Sequence, residues 1–120
     1  MSAAFNLHVS RFAQRDIEDI IERIAVDFEN TAAAIAVDAA FQEGLDRLRH
    51  FADSCPPADE SRLVDFDLLV GLFGTRYGQK YRMLFVIEGE AVYVLRIRGE
   101  RQQALSEAEV RSAHRQRYAG

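Results

Sequence analysis

Cysteine occurs once, lysine once and proline twice in these 120 residues, and no long apolar run is present. The single cysteine, Cys55, excludes an intramolecular disulfide and any zinc site built from cysteines. It sits in Ser54-Cys55-Pro56-Pro57, far in sequence from a histidine, and reads as an inert loop thiol. His8, His50 and His114 lack the i, i+4 spacing of a metal pair and read as surface residues, so neither metal nor cofactor is expected. No stretch approaches the roughly 20 apolar residues that span a bilayer. The opening MSAAFNLHVS has neither a basic region nor a long apolar core, so no signal peptide is read and the expected location is cytoplasmic. Every basic residue apart from Lys80 is an arginine.

The remaining composition is ordinary. Apolar residues make up 48% and charged residues 28%, the proportions of a globular protein, and 120 residues suffice for one domain with its own core. The net charge of −4 conceals an asymmetry. Residues 1–60 carry 5 basic and 12 acidic side chains, a balance of −7; residues 61–120 carry 10 and 7, a balance of +3. The second half can therefore meet an anionic partner although the whole chain is acidic.

Phe5-Asn6-Leu7-His8-Val9 alternates as a short strand does. Ser10 stands at a helix N-cap, and Ile17, Ile20, Ile21, Ile24 and Phe28 form one stripe of an amphipathic helix over about 11–28. Its other face, with Arg15, Asp16, Glu18, Asp19, Glu22 and Arg23, reads as solvated. Asn30 or Thr31 caps a second helix whose stripe is Ala34, Val37, Phe41, Leu45 and Leu48. The short break at Glu29-Asn30 makes the pair an antiparallel helical hairpin. A polar loop follows over 53–65, with two prolines, two serines and four acids. Leu68 to Phe73 has strand length, and Gly74-Thr75-Arg76-Tyr77-Gly78 reads as the turn into the next strand. Ser106-Glu107-Ala108-Glu109 is a capping box, with Leu105 and Val110 as its hydrophobic staple, opening a helix over about 107–114. Residues 115–120 lack an apolar pattern and are expected to fray.

The most informative stretch runs from Lys80 to Arg101: two apolar runs around Glu88-Gly89-Glu90, the pattern of a β-hairpin. A two-residue turn at Gly89-Glu90 would set Arg82 opposite Ile97 and put Arg96 and Arg98 among Tyr81 and Met83. A three-residue loop pairs Ile87 with Ala91, Met83 with Leu95 and Arg82 with Arg96. Because a slip of one residue exchanges the two faces, the longer loop is the predicted one. It leaves one apolar face against the helices and gathers Arg82, Arg96 and Arg98 on the other. The sum is an α+β fold, β-αα-βββ-α, in a single domain over 1–120. Its core covers about 5–105, with the helical hairpin packed on a small, mainly antiparallel sheet, and a C-terminal helix and tail follow.

That order of elements, together with FNLHVSRFAQRDIEDIIERI, Tyr81-Arg82-Met83-Leu84-Phe85 and Val92-Tyr93-Val94-Leu95-Arg96-Ile97, resembles the ParE/RelE superfamily of type II toxin–antitoxin toxins, closer to the ParE branch. The resemblance implies a toxin of the plasmid-stabilisation type that inhibits DNA gyrase by binding, causes growth arrest and is neutralised by a cognate antitoxin. It allows a homodimer or a hetero-oligomer with that antitoxin. The partner-binding residues expected are Arg76, Tyr77, Arg82, Arg96, Arg98 and Arg101. The RelE branch implies the alternative, a ribosome-dependent mRNA endoribonuclease with Arg82 and Arg101 as catalytic residues. That branch uses lysines on the strand before the Tyr-Arg pair and a tyrosine near the C-terminus. Here Leu68 to Phe73 has no lysine, and Leu105 stands near the tyrosine's place. Cleavage through the 2′-hydroxyl needs a proton acceptor and donor besides charge stabilisation, and arginine supplies only the last. Binding is therefore favoured over catalysis. A third reading is a non-toxic binding module of the same fold, because Arg98-Gly99-Glu100-Arg101 departs from the histidine–arginine-rich segment common in ParE proteins.

Overall fold

In the computed structural model, which describes residues 4–76 and 78–119, the chain begins with β1 (Asn6–Val9) and α1 (Arg11–Glu22). A π-helical turn (Arg23–Asp27) leads to α2 (Thr31–Phe51), followed by β2 (Leu69–Gly74), β3 (Lys80–Glu88), β4 (Ala91–Gly99) and α3 (Glu107–Arg115). Two short 3-10 turns, Ala52–Ser54 and Asp59–Leu63, occupy the polar loop. The β-αα-βββ-α order is the expected one. The four strands lie in the order β1-β4-β3-β2, with β1 parallel to β4 and the other neighbours antiparallel. No helix among the described residues is long and apolar enough to cross a membrane.

The helical hairpin forms where its caps and stripes place it. Ser10 Oγ accepts from Ala13 N at 3.2 Å, and Asn30 Oδ1 accepts from Ala33 N at 3.0 Å, each satisfying a first-turn N–H that lacks a helical acceptor. The predicted α2 stripe is buried in full, and Gly44 adds to it. A Cβ at Gly44 would stand 3.1 Å from Phe73 Cβ, so a glycine there lets α2 settle against the sheet. The α1 stripe departs from expectation at its end. The π turn winds an extra residue into the helix, and Phe28 leaves the stripe to stand 69% exposed. Glu29, with φ of 49°, then reverses the chain.

Each face of the sheet carries its own core. Tyr81, Met83, Phe85, Val92, Val94 and Ile97 pack against the hairpin. Leu84, Val86 and Leu95 pack against Val110 and Ala113 of α3, with Leu68 and Leu105. A strand buried on both faces reads as a nearly continuous apolar run, which is how β3 reads.

The β3–β4 register corrects the sequence reading. The turn has two residues, Gly89-Glu90, and Glu88 pairs with Ala91, Ile87 with Val92 and Phe85 with Val94. The extra residue lies within β4 rather than in the turn. Leu84 pairs with Arg96, so Leu95 is left as a β-bulge, and Met83 then meets Ile97 while Arg82 meets Arg98. Two features permit this. Gly89 at φ 59° suits the first position of a tight hairpin turn, and the Leu95 carbonyl accepts from Ser10 Oγ at 3.0 Å. The bulge restores the phase that the short turn would lose. Arg82, Arg96 and Arg98 thus share the face of Leu84, as expected, while Val92 and Val94, instead of Ala91 and Tyr93, face the hairpin.

The expected frayed tail is also corrected. Arg117 Nε donates to Glu88 Oε1 at 2.7 Å, Tyr118 Oη donates to Glu88 Oε2 at 2.8 Å, and Arg11 N donates to Ala119 O at 3.1 Å. Polar anchors to the hairpin tip replace the missing apolar pattern. Tyr118 also meets the Tyr93 ring edge-on, and Tyr93 stacks on His8.

Candidate partner-binding site

Two of the expected arginines are held inside the molecule. Glu60, in the turn Asp59–Leu63, has no exposed side-chain surface. It accepts from both terminal nitrogens of Arg82, at 3.0 and 3.1 Å, and from Leu105 N at 3.0 Å. Burial alone would raise the Glu60 carboxyl, but the hydrogen bonds from Arg82 and Leu105 N–H outweigh it and hold the group below the ordinary glutamate value. The two-pronged pair ties the 59–63 turn, β3 and the segment after β4 together. The sequence reading placed Glu60 among the four acids of the polar loop over 53–65. One signal pointed elsewhere: Arg82 is the lone charge within an apolar run, and a charge in a strand covered on both faces requires a partner.

Arg96 is held likewise. Its Nε and a terminal nitrogen donate to the two Asp16 oxygens at 2.7 and 3.1 Å, and Ile97 N donates to Asp16 Oδ2 at 2.9 Å. Asp16, read as solvated, is therefore an anchor between α1 and β4. The helix carries Ser10 and Asp16 to the part of β4 that lies beyond the end of β1, where Leu95 O and Ile97 N–H would otherwise lack partners.

The remaining expected residues lie apart. Arg98 donates to Gln103 O at 2.6 Å, and its Nε is buried without an acceptor among the described residues. Arg101 is exposed in the turn after β4, and Arg76 is exposed in the β2–β3 turn. Tyr77 lies outside the described residues. The structure therefore brings Arg82 and Arg98 side by side across two strands, with Arg96 nearby, but gives Arg82 and Arg96 internal carboxylates.

A surface that sequence reasoning missed runs along β2. The segment before this strand covers the first half of its outer edge: Ala58 N donates to Leu68 O at 2.8 Å and Val70 N to Pro56 O at 3.0 Å. Beyond Val70 the cover stops. Arg47 donates to Leu72 O at 3.0 Å, while strand alternation points the Leu72 N–H outward, with no backbone acceptor from the described residues beside it. Next to this edge is a mainly apolar groove of 380 Å³ between α2 and β2, lined by Gly44, Leu48, Phe51, Pro57, Leu72 and Met83 among others. Phe51 is 62% exposed and Leu72 56%. Cys55 stands in its wall, and burial, with Asp53 nearby, pushes the thiol up from its ordinary value, which lowers its thiolate fraction. Among the described residues no group of three or more His, Cys, Asp or Glu could hold a metal ion.

Fold and surface together define a small α+β domain with a helical hairpin on one sheet face and an apolar groove beside an open strand edge. The family model for the ParE toxin of type II toxin–antitoxin systems, parDE, matches residues 7–104. The chain belongs to that family of toxins, and membership implies an antitoxin partner. It is similar in fold to a solved chain from the chromosomal ParDE TA system of P. aeruginosa, with a TM-score of 0.60 over 82% of this chain and 98% of that one. At 19% identity the likeness is one of fold. No curated protein matches the sequence.

Proposed function

We propose that this chain is a toxin that arrests growth by binding DNA gyrase, and that its antitoxin neutralises it by laying an extended apolar segment along the β2 groove. The Arg82–Glu60 pair supports binding over RNA cleavage. Under the ribonuclease reading the Arg82 guanidinium must turn toward a phosphate, yet here it is engaged on both terminal nitrogens by a buried carboxylate. For the antitoxin, the open half of β2 offers backbone groups to an added strand, and the adjoining groove offers seats for its apolar side chains.

Induced expression is expected to stop growth with a DNA-damage response, to leave ribosome-bound transcripts intact and to be suppressed by the antitoxin. The purified chain is expected to inhibit gyrase-catalysed supercoiling. Cleaved messages after induction, abolished by Arg82→Ala, would establish the ribonuclease reading instead. Harmless expression without the antitoxin would establish a non-toxic module.

A further inference from the structure

The strap over β2 ends for a chemical reason. Pro57 stands opposite Leu69 in an antiparallel bridge, which brings Pro56 and Val70 face to face. Val70 N donates to Pro56 O at 3.0 Å, but the reciprocal bond needs an N–H at position 56, and proline has none. The chain then leaves the edge, as Cys55 N turns back to Ala52 O at 3.2 Å. At the far end Gly74 stands opposite Lys80, where the strand enters its turn. Between strap and turn the outward backbone groups are Val70 O, Leu72 N–H and Leu72 O. No backbone partner from the described residues faces Val70 O or Leu72 N–H.

Leu72 O is held by a side chain instead. Arg47 reaches it from α2 at 3.0 Å, so the bond spans the groove from helix to strand. Both residues are exposed, and this is the guanidinium's one hydrogen bond among the described residues. Water replaces either partner readily at such a site. A strand added along β2 makes both bonds at Leu72 together, its own N–H on the carbonyl and its own carbonyl on the Leu72 N–H. Arg47 competes for that acceptor and lies across the space that the strand's apolar side chains fill.

We propose that Arg47 is a gate on this edge: in the free toxin it holds Leu72 O, and the antitoxin strand displaces it in order to pair with Leu72. Antitoxin affinity is thereby set below what the edge and the groove provide. The proposal rests on the reading of the β2 groove as the antitoxin's seat and names the residue that regulates entry to it.

The test compares the full chain with Arg47→Met, which keeps an apolar stem, and Arg47→Ala, which removes it. Calorimetric affinity for the purified antitoxin is measured beside hydrogen exchange at the Leu72 amide, by NMR, in the free chain and in the complex. Release of one exposed hydrogen bond before pairing is expected to be worth about three- to tenfold, so both variants bind the antitoxin that much more tightly, with thermal unfolding unchanged. The Leu72 amide is expected to exchange freely in the free chain and to be protected in the complex. Protection with affinity unchanged or lowered in the variants overturns the gate and leaves the antitoxin on β2. A rise confined to Arg47→Met reports added apolar surface and also overturns it. An unprotected Leu72 amide in the complex removes the antitoxin from β2, and the gate assignment falls with that reading.

Discussion

The two sides of the sheet are closed by different means. Where β1 ends, the exposed part of β4 is met by side chains: Ser10 on Leu95 O, Asp16 on Ile97 N–H and Gln102 on Gly99 N–H. Along β2 the chain's own backbone does the covering, through Pro56 and Ala58, and it stops halfway. A helix that spends its polar side chains on β4 fills the backbone positions that β1 does not reach. A backbone strap that ends early leaves one in register with itself. Edge strands invite pairing, and here the invitation is confined to a short length flanked by an apolar groove.

The largest test of that contrast removes the anchor of the strap. Glu60→Ala leaves Arg82 buried without its carboxylate and is expected to cost about 3–5 kcal/mol, read from the urea midpoint. The sign of the acid response is set by the same residue. Its folded carboxyl lies below the ordinary 4.5, so its contribution is complete above that value and is lost as pH falls through the folded one. Glu60→Ala should accordingly flatten the acid limb of the stability profile. On the other edge, Asp16→Ala leaves Arg96 and Ile97 N–H without their acceptor, at a cost of about 2 kcal/mol. Ser10→Ala removes the α1 cap and the partner of Leu95 O, for about 1 kcal/mol. At the open edge, Leu72→Lys should leave stability within about 0.5 kcal/mol while weakening antitoxin binding, measured by calorimetry. Stability unchanged together with affinity unchanged would remove β2 from the binding surface.

The smallest expected effect concerns the far end of the molecule. His114 stacks on Phe66 at 3.8 Å. Burial lowers its pKa, as does the Arg117 charge, with Arg111 adding to the effect and Glu88 and Asp65 opposing it. The folded value therefore lies below the ordinary 6.5, so the unfolded chain takes up protons first. The docking of α3 is fully supported above that pH and weakens as pH falls through it toward the folded value. His114→Phe should remove this dependence from thermal melts taken across the interval.

Elements governed by short-range pattern were legible in the sequence. The α2 stripe, the Ser10 and Asn30 caps and the Ser106 capping box all depend on neighbours within one or two helical turns, and all stand where the spacing puts them. The bulge at Leu95 was not legible, because its stabilising contact comes from Ser10, 85 residues away. Asp16 and Glu60 look like any solvated acids until β4 and β3 bring Arg96 and Arg82 to them. The β2 groove is composed of residues from α2, the 54–59 segment and the strand, so no local stretch announces it. The facial grouping of Arg82, Arg96 and Arg98 agrees with the expectation because the bulge supplies within β4 the extra residue expected in the loop; their pairing with carboxylates was not legible, since pairing belongs to tertiary structure.

The bulge has a genealogical side as well. β4 holds one residue more than its two faces require: without Leu95, Val94 and Arg96 would still fall on opposite faces, and Arg82, Arg96 and Arg98 would keep theirs. A relative one residue shorter at this point would therefore present the same sides of the sheet, forfeiting the leucine side chain buried against α3 and the carbonyl that Ser10 holds. A gap here is a change of length that moves no side chain across the sheet, and equivalent arginines in such relatives are matched by strand phase, not by distance from the turn.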